Sequence, residues 1–233
     1  METAICPNPS CGNDIPADAV NCPICGTDVS LAKIEYYTVQ IKQNPKDVEA
    51  FLYRAAAYGA RGELDRTIAD LNYAIKLDPS NAEAYSLRGG VLVEKKDHQG
   101  AVFDLNHAIK LKPDDEDSYF YRGLAYSGLE DAKSALADFN QVLRMNPSNT
   151  DAYMQRAIIF ESQGKLGKAI ADMKKALEVT TDPYQRTTIE NLLKEEKQFQ
   201  SKGRQRQAGG CLTALLQGLW EMVVSIFRAV LKG

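Results

Sequence analysis

The sequence predicts a mainly α chain, an α-solenoid of four helical hairpins carrying a small N-terminal four-cysteine module and a C-terminal amphipathic helix. Three observations predict it. Pro45, Pro79, Pro113 and Pro147 stand 34 residues apart, and the text before them recurs, as Ala-Ile-Lys-Leu-Asp-Pro79, Ala-Ile-Lys-Leu-Lys-Pro113 and Val-Leu-Arg-Met-Asn-Pro147. A fixed period of this length marks tandem units that bury their faces on one another. Four of the five cysteines fall before residue 26, and from Cys211 onward a charged text turns apolar.

Composition sets the outer bounds. The 233 residues are 44% hydrophobic and 25% charged, which suits a soluble chain with a substantial core. A formal charge of −3 speaks against a general nucleic-acid binder, whose footprint is a dense basic face. Met1 to Ile5 shows no basic region leading into an apolar run, so no secretory signal is expected. The cysteine spacing favours a metal site over a disulfide framework, and with it a reducing, cytoplasmic compartment.

The first element is residues 1–29. Cys6 and Cys11 flank Pro-Asn-Pro-Ser, and Cys22 and Cys25 flank Pro-Ile, giving C-x4-C-x10-C-x2-C. Two short cysteine turns can supply the four thiolates, at roughly 2.3 Å, that tetrahedral zinc requires. Redox-active thiols or disulfides are the alternatives. The run from Cys11-Gly-Asn to Cys22-Pro-Ile-Cys25-Gly resembles the small zinc-ribbon module, although the first pair is two residues wider than its usual C-x2-C. The resemblance implies one structural Zn2+ held by Cys6, Cys11, Cys22 and Cys25. No Lys or Arg precedes Lys33, whereas Glu2, Asp14, Asp18 and Asp28 are acidic, so phosphate would be repelled. The module reads as a protein-docking knob or a stabilising cap.

Residues 30–45 read as one cap helix, Leu31 to Gln43, with Leu31, Ile34, Tyr37 and Ile41 along one face. In register it is the second helix of a missing unit. The four units follow over 48–181, as 48–81, 82–115, 116–149 and 150–181. With Val48, Ala82, Glu116 and Thr150 as first positions, position 4 is Phe51, Tyr85, Tyr119 and Tyr153, and position 8 is Ala55, Gly89, Gly123 and Ala157. Position 24 is Leu71, Leu105, Phe139 and Met173; position 27 is Ala74, Ala108, Val142 and Ala176. Small residues at position 8 allow close helix approach, and proline ends each second helix. This pattern resembles the tetratricopeptide repeat, with Thr67 departing from the usual Ala at position 20 and Thr181 standing where a closing proline is expected.

A second series runs through the units: Arg54, Arg88, Arg122 and Arg156 at position 7, with Asp70, Asp104, Asp138 and Asp172 at position 23. These sites face one another in a helical hairpin, so four stacked Arg–Asp pairs are expected, independent solvated charges being the alternative.

Resemblance to the repeat family implies a ligand groove lined by first helices. Its floor would be Leu52, Ser86, Phe120 and Met154 at position 5 with Ala56, Gly90, Leu124 and Ile158 at position 9; Glu49, Glu83, Asp117 and Asp151 at position 2 would be its acidic edge. Such a groove suits an apolar helix or peptide bearing positive charge, although acids at helix starts also satisfy the helix dipole. The family's carboxylate clamp for chaperone tails has no counterpart, because its sites hold Leu52, Ala56, Leu87, Asp117 and Tyr121.

Beyond the units, Asp182-Pro183 starts a capping helix over 182–201, with Ile189, Leu192, Leu193 and Phe199 on its apolar side. Residues 202–210 form a basic linker carrying Lys202, Arg204 and Arg206. Over 211–232, Thr213, Gln217, Glu221, Ser225, Arg228 and Lys232 share one arc of roughly 120°. Leu212, Leu215, Leu219, Met222, Val223, Ile226, Phe227 and Val230 fill the other side, with Trp220 at its edge. Three fates compete: spanning a bilayer, which Glu221 at mid-segment opposes; lying in a membrane interface; and packing on protein. For a contact with a partner, a membrane surface, another copy or the chain's own groove, the key side chains are Leu215, Leu219, Trp220, Val223 and Phe227.

His98 and His107 are the only histidines, and neither has a nucleophile or acid partner assembled beside it in the sequence. The expectation is therefore a non-enzymatic adaptor for protein or peptide ligands, using no nucleic acid. The runner-up is a peripheral factor anchored at the cytoplasmic face of a membrane by its last helix.

Overall fold

A computed structural model describes residues 3–5, 14–16, 24–26 and 28–201, with side chains for 24–26 and 28–194. The expectations for Cys6, Cys11, Cys22, Phe199, the linker and residues 211–232 lie outside these. The described chain is mainly α. Two short strands, β1 (Thr3–Ile5) and β2 (Asp14–Pro16), pair antiparallel with Ile5 opposite Asp14; the sequence reading assigned no strand there.

Contacts divide the chain into two compact units, the first reaching Pro113 and the second beginning at Asp114. In the first, α1 (Val29–Gln43) precedes the hairpins α2 (Val48–Ala60) with α3 (Leu64–Leu77) and α4 (Ala82–Glu94) with α5 (His98–Leu111). In the second, α6 (Glu116–Gly128) pairs with α7 (Ala132–Met145), α8 (Thr150–Ser162) with α9 (Leu166–Val179), and α10 (Pro183–Ser201) packs on α9. Neighbouring hairpins also meet within each unit, α3 on α4 and α7 on α8.

The boundaries follow from local chemistry. Asp47, Asn81, Asp115 and Asn149 cap the four first helices, each accepting from the backbone N–H three residues on at 2.8–3.1 Å. Position 15, which closes every first helix, adopts left-handed backbone in Gly62 (φ 74°), Lys96 (φ 64°), Glu130 (φ 61°) and Gly164 (φ 70°). Two units thus use the residue type that takes this conformation without strain and two do not. The first three second helices end as the C-cap N–H reaches back to Ala74, Ala108 or Val142 at 2.7–2.8 Å, directly before the periodic proline. His98 is the first residue of α5, behind its N-cap Asp97.

The cores are the predicted ones. Leu71, Leu105 and Phe139 are wholly buried, as are Ala74, Ala108, Val142 and Ala176, with Met173 close to it. Thr67 is tolerated at a fully buried position because its hydroxyl donates to the Glu63 carbonyl at 3.2 Å. The apolar face of α1 is shifted from the expectation: Val29, Ser30 and Ile34 are buried, whereas Leu31 is 44% exposed. Ile189, Leu192 and Leu193 of α10 are buried as expected and close the last hairpin.

Glycine at position 8 has a measurable reason. A Cβ on Gly89 would lie 2.5 Å from Cγ of Leu105, and one on Gly123 would lie 2.8 Å from Cε1 of Phe139. We expect Gly89→Ala to destabilise the chain by about 1–3 kcal/mol, the usual cost of overpacking, although alanine is the better helix former. A urea titration of the two proteins checks it; equal or greater stability of the variant would contradict the close approach.

Candidate partner-binding face

The first helices that would line a ligand groove are held in place by the predicted Arg–Asp pairs, and each pair forms a two-pronged fork. Nε and Nη2 of Arg54 donate to the two Asp70 oxygens at 2.8 and 2.7 Å; Arg88 does the same to Asp104 at 2.6 and 2.7 Å. Arg122 grips Asp138 at 2.8 and 2.7 Å, and Arg156 grips Asp172 at 2.7 and 2.6 Å. The Asp side chains are 3–8% exposed and the Arg side chains 16–20%. Hydrogen bonding to Asp raises the Arg54, Arg88 and Arg156 pKa values above the ordinary guanidinium range. Each guanidinium also lies over the position-4 ring of its own helix, 5.4–5.7 Å from the centroids of Phe51, Tyr85, Tyr119 and Tyr153.

A third contact ties arginine to the preceding second helix. Nη1 of Arg54 donates to Thr38 Oγ1 at 3.1 Å, Nη1 of Arg88 to Asn72 Oδ1 at 2.6 Å, and Nη1 of Arg156 to Asn140 Oδ1 at 2.6 Å. Each acceptor belongs to the preceding second helix, so one arginine ties its own hairpin and also binds it to the one before. The signal was in the sequence, since Thr38, Asn72, Asn106 and Asn140 stand 34 residues apart. Thr38 on α1 makes to Arg54 the contact that Asn72 and Asn140 make to Arg88 and Arg156.

At position 2, Glu49, Glu83 and Asp117 are exposed. The floor is not open. Leu52 is 7% exposed, Ser86 8%, Phe120 and Leu124 6% and Met154 4%; Gly90 is buried, and Ala56 and Ile158 are half-buried. Two of these are hairpin core instead of groove lining. The Phe120 ring stands edge-on to Phe139 at 5.8 Å, and Met154 packs in a cluster with Ala157, Met173, Ile189 and Leu192. Long side chains at position 5 reach round the helix into the space beside position 8.

Asp151 also departs from the expected acidic edge. It is half-buried, accepts from Gln185 Nε2 of α10 at 3.5 Å, and burial, with the Asp182 carboxylate adding to it, pushes its pKa up to about 6. The folded state therefore binds this proton more tightly than the unfolded chain, so the stabilisation is full below about pH 4 and is lost as pH rises through about 6. Between pH 7 and pH 5 the wild type should gain about 1 kcal/mol from this group. Asp151→Asn should lack that increment in paired urea titrations at the two pH values; identical pH dependence of both proteins would contradict the burial.

His107 lies exposed on α5, with its ring stacked on Tyr85 at 5.3 Å and tilted against Phe103 at 4.8 Å. Half-buried His98 has its pKa lowered by desolvation. Of the four cysteines, Cys25 alone is described; it sits in an exposed turn followed by Gly26 at φ 73°. Among the described residues no group of three or more His, Cys, Asp or Glu could hold a metal ion, and no helix is long and apolar enough to cross a membrane.

Repeated helical hairpins with a ladder of interlocking ion pairs define a tandem-repeat protein. Residues 57–96, 82–115 and 120–185 match three family profiles described as "TPR repeat", "Tetratricopeptide repeat" and "Tetratricopeptide repeat", and the chain is a tetratricopeptide repeat protein over these segments. Among solved structures it resembles MamA, at 27% identity over 65% of this chain and 94% of that one, with a TM-score of 0.59. It shares its fold with a thermophilic TPR protein of Thermus thermophilus, at 22% identity over 70% and 90% of the two chains, TM-score 0.61. The same holds for YrrB, described as a TPR protein with an unusual peptide-binding site, at 24% identity over 70% and 87%, TM-score 0.56. No curated protein matches significantly.

Proposed function

We propose that this chain is a non-enzymatic adaptor that holds a protein or peptide ligand against the first helices of its repeats. The observation that carries the reading is the recurrence of an exposed acid, Glu49, Glu83 and Asp117, at the same position of three first helices, with half-buried Ala56 and Ile158 at position 9. An amphipathic ligand with a cationic side fits such a face. Within each unit the arginines supply what a binding surface of this kind requires, a fixed spacing between neighbouring hairpins. Affinity purification of the full chain and of its Glu83→Lys, Asp117→Lys variant tests it. A partner retained by the wild type and lost by the variant supports the reading, and equal recovery by both overturns it. The membrane-anchored alternative rests on Lys202, Arg204 and Arg206 beside the amphipathic stretch; flotation of the full chain with anionic liposomes would favour it over the adaptor reading.

The same proposal includes one structural zinc on Cys6, Cys11, Cys22 and Cys25. Supporting it are the β1–β2 ladder on either side of the Cys6–Cys11 segment and the exposed turn that carries Cys25. Bound zinc would supply cross-linking of the two cysteine turns and no reaction. Metal analysis should find about one zinc per chain, lost in Cys22→Ser; zinc-free wild type purified under reducing conditions in zinc-containing buffer would overturn the assignment.

A further inference from the structure

Of the four acids at position 2, Glu49, Glu83 and Asp117 are exposed and Asp151 is half-buried. The start of a first helix favours an anion in all four units, so the difference at Asp151 comes from what lies beside it, which is α10. Gln185 Nε2, in the first turn of α10, donates to Asp151 Oδ1 at 3.5 Å. The Asp182 carboxylate, which caps α10 by accepting from the Tyr184 N–H at 2.8 Å, is the charged group that acts on Asp151. Among the described residues no Lys or Arg pairs with Asp151. Arg186 of α10 donates instead to the Thr180 carbonyl at 3.1 Å, and on the α6 side Glu116 is held by Asn146 and Asn149 at 3.1 and 2.7 Å. An ionised Asp151 therefore meets an amide, a second acid and partial loss of water, with no cation to offset them.

We infer that α10 is a pH-graded cap, docked more tightly on the last hairpin when Asp151 carries a proton than when Asp151 and Asp182 are both ionised. This goes beyond the adaptor reading and does not depend on it. The coupling is a linkage. Lifting α10 returns Asp151 to water and to the ordinary carboxylate range, whereas docking holds its pKa at about 6, so the docked state binds the proton more tightly. The advantage of docking is full below about pH 4 and is lost as pH rises through about 6. Between pH 5 and pH 7 the docking equilibrium should weaken roughly tenfold, because the docked form gives up a proton that the lifted form has already released. The step has an apolar consequence. Ile189, Leu192 and Leu193 share a cluster with Met154, Ala157 and Met173, so lifting α10 uncovers part of α8 and the end of the last hairpin. An end helix is the element able to do this, since α10 packs on α9 and no described helix follows it; such elements open at lower cost than the whole fold.

Amide hydrogen exchange of the full chain at pH 5, 6 and 7, read by mass spectrometry and corrected for the intrinsic pH dependence of exchange, tests the inference. In the wild type, residues 183–194 should be less protected than α8 and α9, and their protection should fall roughly tenfold from pH 5 to pH 7. Asp151→Asn, uncharged throughout, should show no such fall. Asp182→Asn, which keeps a capping side chain before Tyr184, should retain the response with its midpoint moved to lower pH. Should Asp151→Asn alter the circular dichroism of the repeats, the Asp182→Asn midpoint decides. Four results would overturn the inference: wild-type α10 protection that does not change with pH; an equal fall in a folded Asp151→Asn; an unmoved midpoint in Asp182→Asn; and α10 protection equal to that of α8 and α9, which would mean that α10 leaves only when its hairpin unfolds.

Discussion

Asp104→Ala should lower stability by roughly 3 kcal/mol, the scale expected when a buried ion pair loses one partner. The Asp104 side chain is 3% exposed and accepts both Nε and Nη2 of Arg88, whose own side chain is 20% exposed and also donates to Asn72. Without the carboxylate, a guanidinium largely withdrawn from water faces a methyl group with two donors unmet. The penalty comes from the orphaned charge and not from the worth of the pair, so Arg88→Met combined with Asp104→Leu should cost less than Asp104→Ala alone. Arg88→Lys should not behave conservatively either, since one ammonium cannot serve Asp104 and Asn72 through a planar fork. Urea titrations of the variants measure this, and a loss below about 0.5 kcal/mol for Asp104→Ala, the range of a solvated surface pair, would contradict the buried fork.

Phe139→Ala should cost about 3–5 kcal/mol, the range for emptying the space of a buried aromatic ring. Phe139 is wholly buried, fills the space above Gly123 and meets the Phe120 ring at 5.8 Å. The two sites should be coupled. Gly123→Ala alone introduces a methyl 2.8 Å from Cε1 of Phe139 and should destabilise; in the Phe139→Ala background the same methyl enters vacated space and should restore part of the loss. Strict additivity of the two changes in thermal melts would contradict the described contact.

Much of this was legible because a repeat prints its packing several times. Small residues at position 8 against large ones at position 24, and Arg at 7 against Asp at 23, are spaced so that only a hairpin brings them together, and the structure bears this out in the Gly89–Leu105 and Gly123–Phe139 approaches and in all four forks. Asn72 and Asn140 carried the same signal, but an exposed Asn is compatible with many roles, so the period alone did not give it a partner. Burial of the would-be groove floor was not legible. A helical wheel fixes the direction of a Cβ, whereas Phe120 and Met154 are long enough to bend back into their own hairpins, and the pull of α10 on Asp151 depends on where a helix about 30 residues away comes to rest. The shifted face of α1 has a similar origin: Val29 and Ser30 lie at its start, where the Asp28 cap fixes the entry direction.

The central claim is that first-helix side chains, and not those of the second helices, carry partner recognition. Photo-crosslinking addresses it most directly. A benzophenone amino acid placed in the full chain at exposed Glu83 or Asp117, or at Lys110 or Lys174 on the second helices, should yield partner adducts from the first two positions only. Adducts from Lys110 and Lys174, with none from Glu83 or Asp117, would contradict the account.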